Sequence, residues 1–118
     1  MKYLFVCYPR CSTCKKAQSW LDENQIPYEF RHIAQQNPTA TELKEWISQS
    51  GLPVKKFFNT SGQLYRELEL KNKLPQMSEE EQMELLSTNG MLVKRPLLIG
   101  SEVVLVGFKA DAWERIKN

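Results

Sequence analysis

The chain has 118 residues, of which 42% are apolar and 25% are charged, and this suits one domain around a single core. The net charge of +2 is too small to indicate nucleic-acid recognition, so no direct DNA binding is expected. No apolar window is long enough to span a bilayer, and the short apolar run near the start does not match a signal peptide. We therefore expect a cytoplasmic protein with no membrane segment. Its three cysteines favour redox or metal chemistry over structural disulfides.

The first third of the chain predicts a strand, a helix and a second strand. A continuous apolar run over residues 2–7 is typical of a strand that is covered on both faces. A helix beginning at Ser12 or Thr13 follows, and it should end at Asn24, a residue that tolerates the left-handed conformation. Alternating residues over 28–32 predict the next strand. We expect a βαβ unit with parallel strands and a right-handed crossover.

The middle of the chain predicts helices. Residues 39–42 and 78–81 each form a capping box, in which an N-cap hydroxyl is followed three residues later by glutamate. The first of these helices should end at Gly51. With a short helix between residues 64 and 70, they predict a helical insertion over about residues 39–90.

The last part of the chain predicts a hairpin and a final helix. The β-rich runs 97–99 and 103–106 are joined by the short turn Gly100-Ser101, which favours an antiparallel pair. Asp111 is expected to cap a helix over residues 112–117.

This order of elements is that of the thioredoxin-like α/β fold, with βαβ followed by ββα on one mixed sheet. We expect residues 1–118 to form a single domain of this kind. Thioredoxin-like folds place a cis-proline just before the third strand of the sheet, and Pro96 stands at that position. We therefore predict a cis peptide bond at Pro96, although only about 5% of X-Pro bonds in folded proteins are cis.

A C-x-x-C pair lies on the turn between the first strand and the first helix. The helix N-terminus and nearby basic residues favour the thiolate of Cys11, which makes it the expected nucleophile. Cys14 lies one helical turn further on, where it could form a disulfide with Cys11 and act as the resolving thiol. The backbone N–H groups around Ser12 and Thr13 could hold an oxyanion.

Metal chemistry is the alternative use of these cysteines. A zinc site needs two further ligands, and only His32 and Cys7 remain. The C-x3-C-x2-C spacing also occurs in iron–sulfur radical enzymes, but those enzymes need a much larger barrel. We therefore expect no metal, a small core residue at Cys7 and a polar strand-end residue at His32.

Three motifs resemble those of the arsenate reductase (ArsC)/Spx family. They are Tyr-Pro-Arg-Cys-Ser-Thr-Cys-Lys-Lys-Ala over residues 8–17, Lys-Arg-Pro over 94–96 and Val-Gly-Phe over 106–108. The similarity covers almost the whole chain and is strongest to small arsenate-reductase-like members with Cys-Ser-Thr-Cys-Lys-Lys. It implies a thioredoxin-like fold with a helical insertion.

The resemblance also implies a reaction. Reductases of this family attack arsenate with the first cysteine, here Cys11, and hold the oxyanion with several arginines. Arg95 matches one of these arginines, Lys55 or Lys56 stands about where a second lies, and Gly107 replaces a third. Lysine binds an oxyanion as a point charge and lacks the bidentate arginine fork. From the resemblance as a whole, we expect a thiol-dependent oxidoreductase with a small oxyanion or disulfide substrate. It would have no bound cofactor and would take electrons from glutathione and glutaredoxin or from thioredoxin.

Two other functions remain open. Spx-type regulators share the C-x-x-C redox switch and bind the C-terminal domain of the RNA polymerase α subunit. A general disulfide reductase would need only reversible oxidation of the cysteine pair.

Overall fold

A computed structural model describes residues 2–117 and contains one four-stranded mixed sheet in that part of the chain. The strands are β1 (Tyr3–Cys7), β2 (Tyr28–His32), β3 (Leu97–Ile99) and β4 (Val104–Val106). Their order is β2-β1-β3-β4. β1 is parallel to β2 and antiparallel to β3, and β3 is antiparallel to β4. The predicted thioredoxin-like α/β fold is therefore confirmed, with its βαβ unit and its hairpin.

Six α-helices surround this sheet in the described part of the chain. They are α1 (Ser12–Glu23), α2 (Ala40–Ser50), α3 (Gln63–Glu67), α4 (Leu70–Lys73), α5 (Glu79–Thr88) and α6 (Ala110–Trp113). Four 3-10 turns accompany them at Val54–Phe57, Leu74–Gln76, Gly90–Leu92 and Glu114–Ile116. Helices α2 to α5 all lie between β2 and β3 in the chain, in the region where the capping boxes predict helices.

Two predicted helix ends are wrong in detail. Asn24 does cap α1, but its φ is −94°, and the left-handed residue is the next one, Gln25, with φ 56°. The backbone N–H groups of Gln25 and Ile26 donate to carbonyls in the last turn of α1, which is the Schellman arrangement. At the other end of the chain, α6 begins at Ala110 with Lys109 as its N-cap, so Asp111 lies in the first turn instead of capping the helix.

The short helix expected between residues 64 and 70 is in fact two helices. Glu69 has φ 53°, a left-handed conformation that ends α3 and starts α4 in a new direction. Gly51 does end α2 in the left-handed conformation, as predicted, with φ 72°.

The sheet separates two apolar clusters, and the alternation along β1 assigns each side chain to one of them. Val6 packs with α2, the 3-10 turn at Val54–Phe57 and the helices that follow. Phe5 and Cys7 point to the opposite face of the sheet. There they pack with the buried face of α1 and with the last helix, through Cys14, Ala17, Leu21 and Trp113.

Arg31 on β2 fixes the start of α2. Its guanidinium contacts both carboxylate oxygens of Glu42, at 2.7 and 2.9 Å, and donates to the carbonyls of Gln36 and Asn37. Glu42 also completes the predicted capping box with Thr39. The hydrogen bonds from Arg31 hold the pKa of the Glu42 carboxyl below its usual value, and burial opposes this effect only in part.

Replacing Glu42 with glutamine is expected to destabilise the fold in a pH-dependent way. Because the folded-state pKa is below the unfolded value, the ionised carboxylate stabilises the protein above the unfolded pKa. This contribution is lost as the pH falls through the folded value. Since the pair is partly exposed, we expect a deficit of about 1–2 kcal/mol at neutral pH.

Urea unfolding of both proteins across the acid range would measure this difference. The deficit should shrink as the pH falls through the lowered folded-state pKa of Glu42. Glu45→Gln, which removes the same charge from an exposed position on α2, is the matched control and should cost much less. A deficit of equal size at acid and neutral pH would contradict the assignment.

Candidate active site at the start of the first helix

Cys11 is the N-cap residue of α1, directly after the turn that leaves β1. Its backbone N–H donates to the carbonyl of Tyr8 at 3.0 Å, and its carbonyl accepts the Lys15 N–H at 3.1 Å. Its thiol is free and half-buried, and it makes no side-chain capping bond. The N–H groups in the first turn of a helix have no intrahelical partner, and the helix dipole places positive potential there. The Ser12 and Thr13 backbone is thus placed to meet an anion beside Cys11.

The other two cysteines form a disulfide, which differs from the pairing that the sequence predicts. Cys14 is bonded to Cys7, with the two Cα atoms 5.9 Å apart, and not to Cys11. Cys7 is buried as expected, but it is not an unbonded core residue. The Tyr8 backbone N–H lies 3.4 Å from Cys14 Sγ, at the end of β1.

Backbone geometry explains this pairing. Cys7 points to the sheet face that α1 covers, and Cys14 begins the buried stripe of α1, so their side chains meet in the same cluster. Cys11 has an extended backbone, with φ −84° and ψ 123°, so it does not continue that helical stripe. Helical spacing predicts a Cys11–Cys14 pair, but that spacing does not apply to an N-cap residue.

Arg95 lies next to the turn between β1 and α1 that carries Cys11. The Arg95–Pro96 peptide bond is cis, in agreement with the expectation for Pro96. The Arg95 guanidinium carbon lies 5.6 Å from the centroid of the Tyr8 ring, and one guanidinium nitrogen donates to the Val93 carbonyl at 3.4 Å. Since the carbonyl of Tyr8 accepts the N–H of Cys11, this stacking places Arg95 beside the turn that holds the free thiol.

A cavity of about 650 Å³ opens beside this turn and carries strong positive charge. Its cationic lining consists of Lys55, Lys56, Lys94, Arg95 and Lys109. Thr13 contributes the edge nearest to α1, while Cys11 and Ser12 lie at the same helix N-terminus but outside the lining. The structure therefore brings together three of the residues that the sequence assigned to anion binding: Thr13, Lys55 and Arg95.

Sequence reasoning did not assign Lys94 or Lys109 to anion binding, and it left open whether Lys55 or Lys56 takes part. Lys94 is the first residue of the Lys-Arg-Pro motif, and Lys109 directly follows Val-Gly-Phe. Gly107 brings these segments together, because its left-handed backbone, with φ 74°, turns the chain after β4. Its N–H donates to the Pro96 carbonyl at 2.8 Å.

The cavity combines a cationic lining with some apolar surface. None of the described residues that line it is acidic, whereas the net charge of the whole chain is only +2. Charges of one sign that line a cleft raise the local concentration of oppositely charged ligands. Phe58, Val106 and Phe108 add apolar surface to the same cavity.

His32 has a structural role. Its Nδ1 accepts the backbone N–H groups of Ala34 and Gln35, each at 3.2 Å, and its ring packs edge-on against Tyr8. Over residues 2–117, no three His, Cys, Asp or Glu side chains cluster closely enough to hold a metal ion. In the same stretch, no helix has the length and apolar character needed to cross a membrane.

Neutralising Arg95 is expected to change the charge selectivity of Cys11 alkylation. Positive charge around Cys11 should raise the rate of its alkylation by the anionic reagent iodoacetate relative to the rate with neutral iodoacetamide. Arg95→Gln should lower this ratio of rates by about twofold to threefold at low ionic strength, and high salt should remove the difference. Lys71→Gln, an exposed change outside the cavity, should leave the ratio unchanged. An equal response of both variants would show that Arg95 exerts no local field at Cys11.

Comparison with known proteins gives a consistent assignment. The model of the ArsC family matches residues 7–116. The fold superposes with a TM-score of 0.97 on an ArsC-family-related protein of Bacteroides fragilis, with 62% identity over 99% of this chain and 98% of the other. It superposes with a TM-score of 0.87 on a possible arsenate reductase of Streptococcus mutans, with 42% identity over 95% and 97% of the two chains. The regulatory protein MgsR of Bacillus subtilis is 31% identical over 104 residues, which are 88% of this chain and 81% of MgsR.

Proposed function

Because this chain belongs to the ArsC family, we propose that it is a thiol-dependent oxidoreductase whose nucleophile is the Cys11 thiolate. One observation carries the proposal. Cys11 is the cysteine that is free and half-buried, and it caps a helix beside a cationic cavity, whereas Cys7 and Cys14 are bonded to each other and buried. A free thiol at a helix N-terminus is the arrangement that activates cysteines for attack.

The charges around Cys11 support an anionic substrate. Arg95 supplies one guanidinium fork, and the other cations in the cavity are lysines. Lysine attracts an anion without fixing its orientation, so selectivity for a tetrahedral oxyanion would be modest. We propose that the site accepts a small oxyanion such as arsenate or a small anionic disulfide, with Thr13, Lys55 and Arg95 as anion contacts. The N–H groups of Ser12 and Thr13 would contribute further contacts.

Arsenate reduction at this site balances with two thiols. The Cys11 thiolate attacks arsenic and displaces an oxygen as water after protonation. A second thiol, such as that of glutathione, then attacks the Cys11 sulfur. The arsenic leaves as arsenite with two electrons, and a mixed disulfide remains on Cys11. Glutaredoxin or thioredoxin would reduce this disulfide, and in their absence Cys14 would resolve it once the Cys7–Cys14 bond has been reduced. No bound cofactor is needed for these steps.

The decisive experiment is a coupled turnover assay. The purified protein is mixed with arsenate, glutathione and glutaredoxin, and arsenite is quantified; a parallel assay replaces arsenate by hydroxyethyl disulfide. We expect turnover of at least one substrate above the rate without the protein. Turnover of neither substrate, with either glutaredoxin or thioredoxin as the donor, would refute the enzyme.

A regulator of the Spx type is the second candidate, and the 31% identity to the regulatory protein MgsR favours it. In that case the cysteines would act as a redox switch and the partner would be the C-terminal domain of the RNA polymerase α subunit. Binding of that domain by the oxidised or the reduced protein, measured by calorimetry together with the absence of turnover, would select this candidate.

A further inference from the structure

Arsenate reduction with an external donor leaves the buried Cys7–Cys14 disulfide unchanged, and Cys14 can act as a resolving thiol only after that bond has been reduced. Cys7 is 0% exposed and Cys14 is 3% exposed, so neither sulfur can meet a solution reagent directly. Cys11 packs against the same apolar cluster that contains both of them. A disulfide enclosed in this way exchanges with its surroundings only through local opening or through a neighbouring thiol.

We propose that Cys7 is a third redox-active cysteine and that Cys11 passes electrons between the buried Cys7–Cys14 pair and the solution. This proposal rests on the proposed function, because it uses Cys11 as the attacking thiolate. It assigns Cys14 the central position: Cys11 packs against the apolar cluster that contains Cys14, and Cys14 is in covalent contact with Cys7 across the interface with β1.

The relay consists of three balanced exchanges. The Cys11 thiolate first attacks a disulfide RSSR, which forms Cys11–S–S–R and releases RS⁻. The Cys14 thiol then attacks Cys11 Sγ, which forms Cys11–Cys14 and releases RSH. Finally the Cys7 thiol attacks Cys14 Sγ, which forms Cys7–Cys14 and releases the Cys11 thiolate and one proton to solvent. In total one RSSR gains two electrons and the Cys7 and Cys14 thiols lose them.

Two features of the site favour the last step. In thiol–disulfide exchange the sulfur that carries a negative charge most readily leaves fastest. Cys11 leaves at the N-terminus of α1, where the helix dipole stabilises an anion. The backbone N–H of Tyr8 holds Cys14 Sγ at the end of β1, beside Cys7. The relay therefore ends with a free Cys11, as the structure shows.

The return path uses the same contacts in reverse. Cys11 attacks Cys14 Sγ and frees Cys7, and a reduced dithiol protein of the thioredoxin or glutaredoxin class then attacks Cys11 Sγ. Its two thiols become a disulfide as Cys11 and Cys14 become thiols. The buried pair thus stores two electrons that only Cys11 can deliver or withdraw.

Disulfide mapping of the full-length wild-type protein tests the relay directly. The fully reduced protein receives one equivalent of 5,5′-dithiobis(2-nitrobenzoate), is quenched in acid, alkylated and digested with trypsin. Cleavage after Arg10 separates Cys7 from Cys11 and Cys14, which share the peptide ending at Lys15. A Cys7–Cys14 bond therefore links two peptides, whereas a Cys11–Cys14 bond lies within one.

We expect two thionitrobenzoate ions per chain, a bond between the two peptides, and an alkylated Cys11. A product that stays at Cys11–Cys14, with Cys7 alkylated only after unfolding, would overturn the relay while leaving Cys11 as the nucleophile. Because the wild-type chain is mapped, this outcome does not depend on whether a Cys7 variant folds.

Two variants separate failure of the relay from failure of the proposed function. Cys7→Ala should still release two thionitrobenzoate ions, but its disulfide should lie within the single peptide. Cys11→Ser should slow the reaction of Cys7 and Cys14 with the reagent by at least about 100-fold, because both are buried. If Cys11→Ser still forms Cys7–Cys14 as fast as the wild type does, the relay is refuted, and the coupled turnover assay then decides the proposed function separately.

Discussion

The Cys11→Ser protein is expected to lose turnover of arsenate and of small disulfides by at least about a thousandfold. A serine hydroxyl stays protonated at neutral pH, and the N-cap position offers it no general base within the described hydrogen-bond network. Neither the anion contacts nor the buried cysteines can replace the attacking atom. Initial rates in the coupled assay at saturating donor would measure the loss.

Loss of structure would not explain this result. Serine is a better helix N-cap than cysteine, because its hydroxyl accepts a backbone N–H in the first turn. Cys11→Ser should therefore be as stable as the wild type or slightly more stable, as thermal unfolding can show. Ser19→Ala, an exposed change on α1, serves as the control for handling and should retain full activity. A stable Cys11→Ser protein that keeps its turnover would exclude Cys11 as the nucleophile.

Gly90→Ala is expected to cause the largest loss of stability, about 3 kcal/mol or more. A Cβ atom on Gly90 would lie 1.8 Å from the carbonyl oxygen of Ile33 and 2.7 Å from its carbonyl carbon. These are backbone atoms, so a side-chain rotation cannot relieve the overlap. Ile33 is itself held in place, since its N–H donates to the Cys7 carbonyl at 2.9 Å.

Gly51→Ala is the matched comparison for this change. Gly51 has φ 72°, so alanine there is strained, but no heavy atom beyond its own residue and chain neighbours lies within 4 Å of the added Cβ. Its cost should be about 1 kcal/mol, from backbone conformation alone. Urea unfolding of the two variants would separate the two effects. Equal losses would mean that the contact between Gly90 and Ile33 does not constrain the fold.

The close approach of Gly90 to Ile33 also affects the candidate active site. Gly90 begins the 3-10 turn from which the chain runs through Val93 to Lys94 and Arg95. The N–H of Lys94 donates to the Phe57 carbonyl at 2.7 Å, which ties this segment to the 3-10 turn that carries Lys55 and Lys56 of the cavity lining. Displacement at Gly90 should therefore weaken anion binding as well as stability.

Local patterns predicted most of the fold. The apolar run of β1, the alternation of β2 and the two capping boxes each depend on neighbouring residues, and each element is present close to its expected bounds. The errors lie where tertiary contacts determine the bounds of an element. The start of α6 is one, because burial of Trp113 and its ring N–H bond to the Gly107 carbonyl set where that helix begins.

The residues of the candidate site could be predicted from the sequence only where they lie within one short motif. Cys11 and Arg95 stood out because each lies in a short motif. The cationic cavity did not, since its lysines come from three segments that are far apart in the chain. The alternation of β1 could have revealed the bond between Cys7 and Cys14, because it places Cys7 on the face that α1 covers.

The strand order also affects how readily copies of this chain could associate through the edges of their sheets. β2 pairs with β1 along one side, so its other side is an open edge of the sheet within residues 2–117. Open edges invite pairing between molecules, and charged side chains discourage it. On this edge strand, Glu29 Oε1 lies 3.8 Å from Lys2 Nζ. The Arg31 guanidinium forms an ion pair with Glu42 of α2. The ion pair between Arg31 and Glu42 thus also places charge on an edge strand of the sheet.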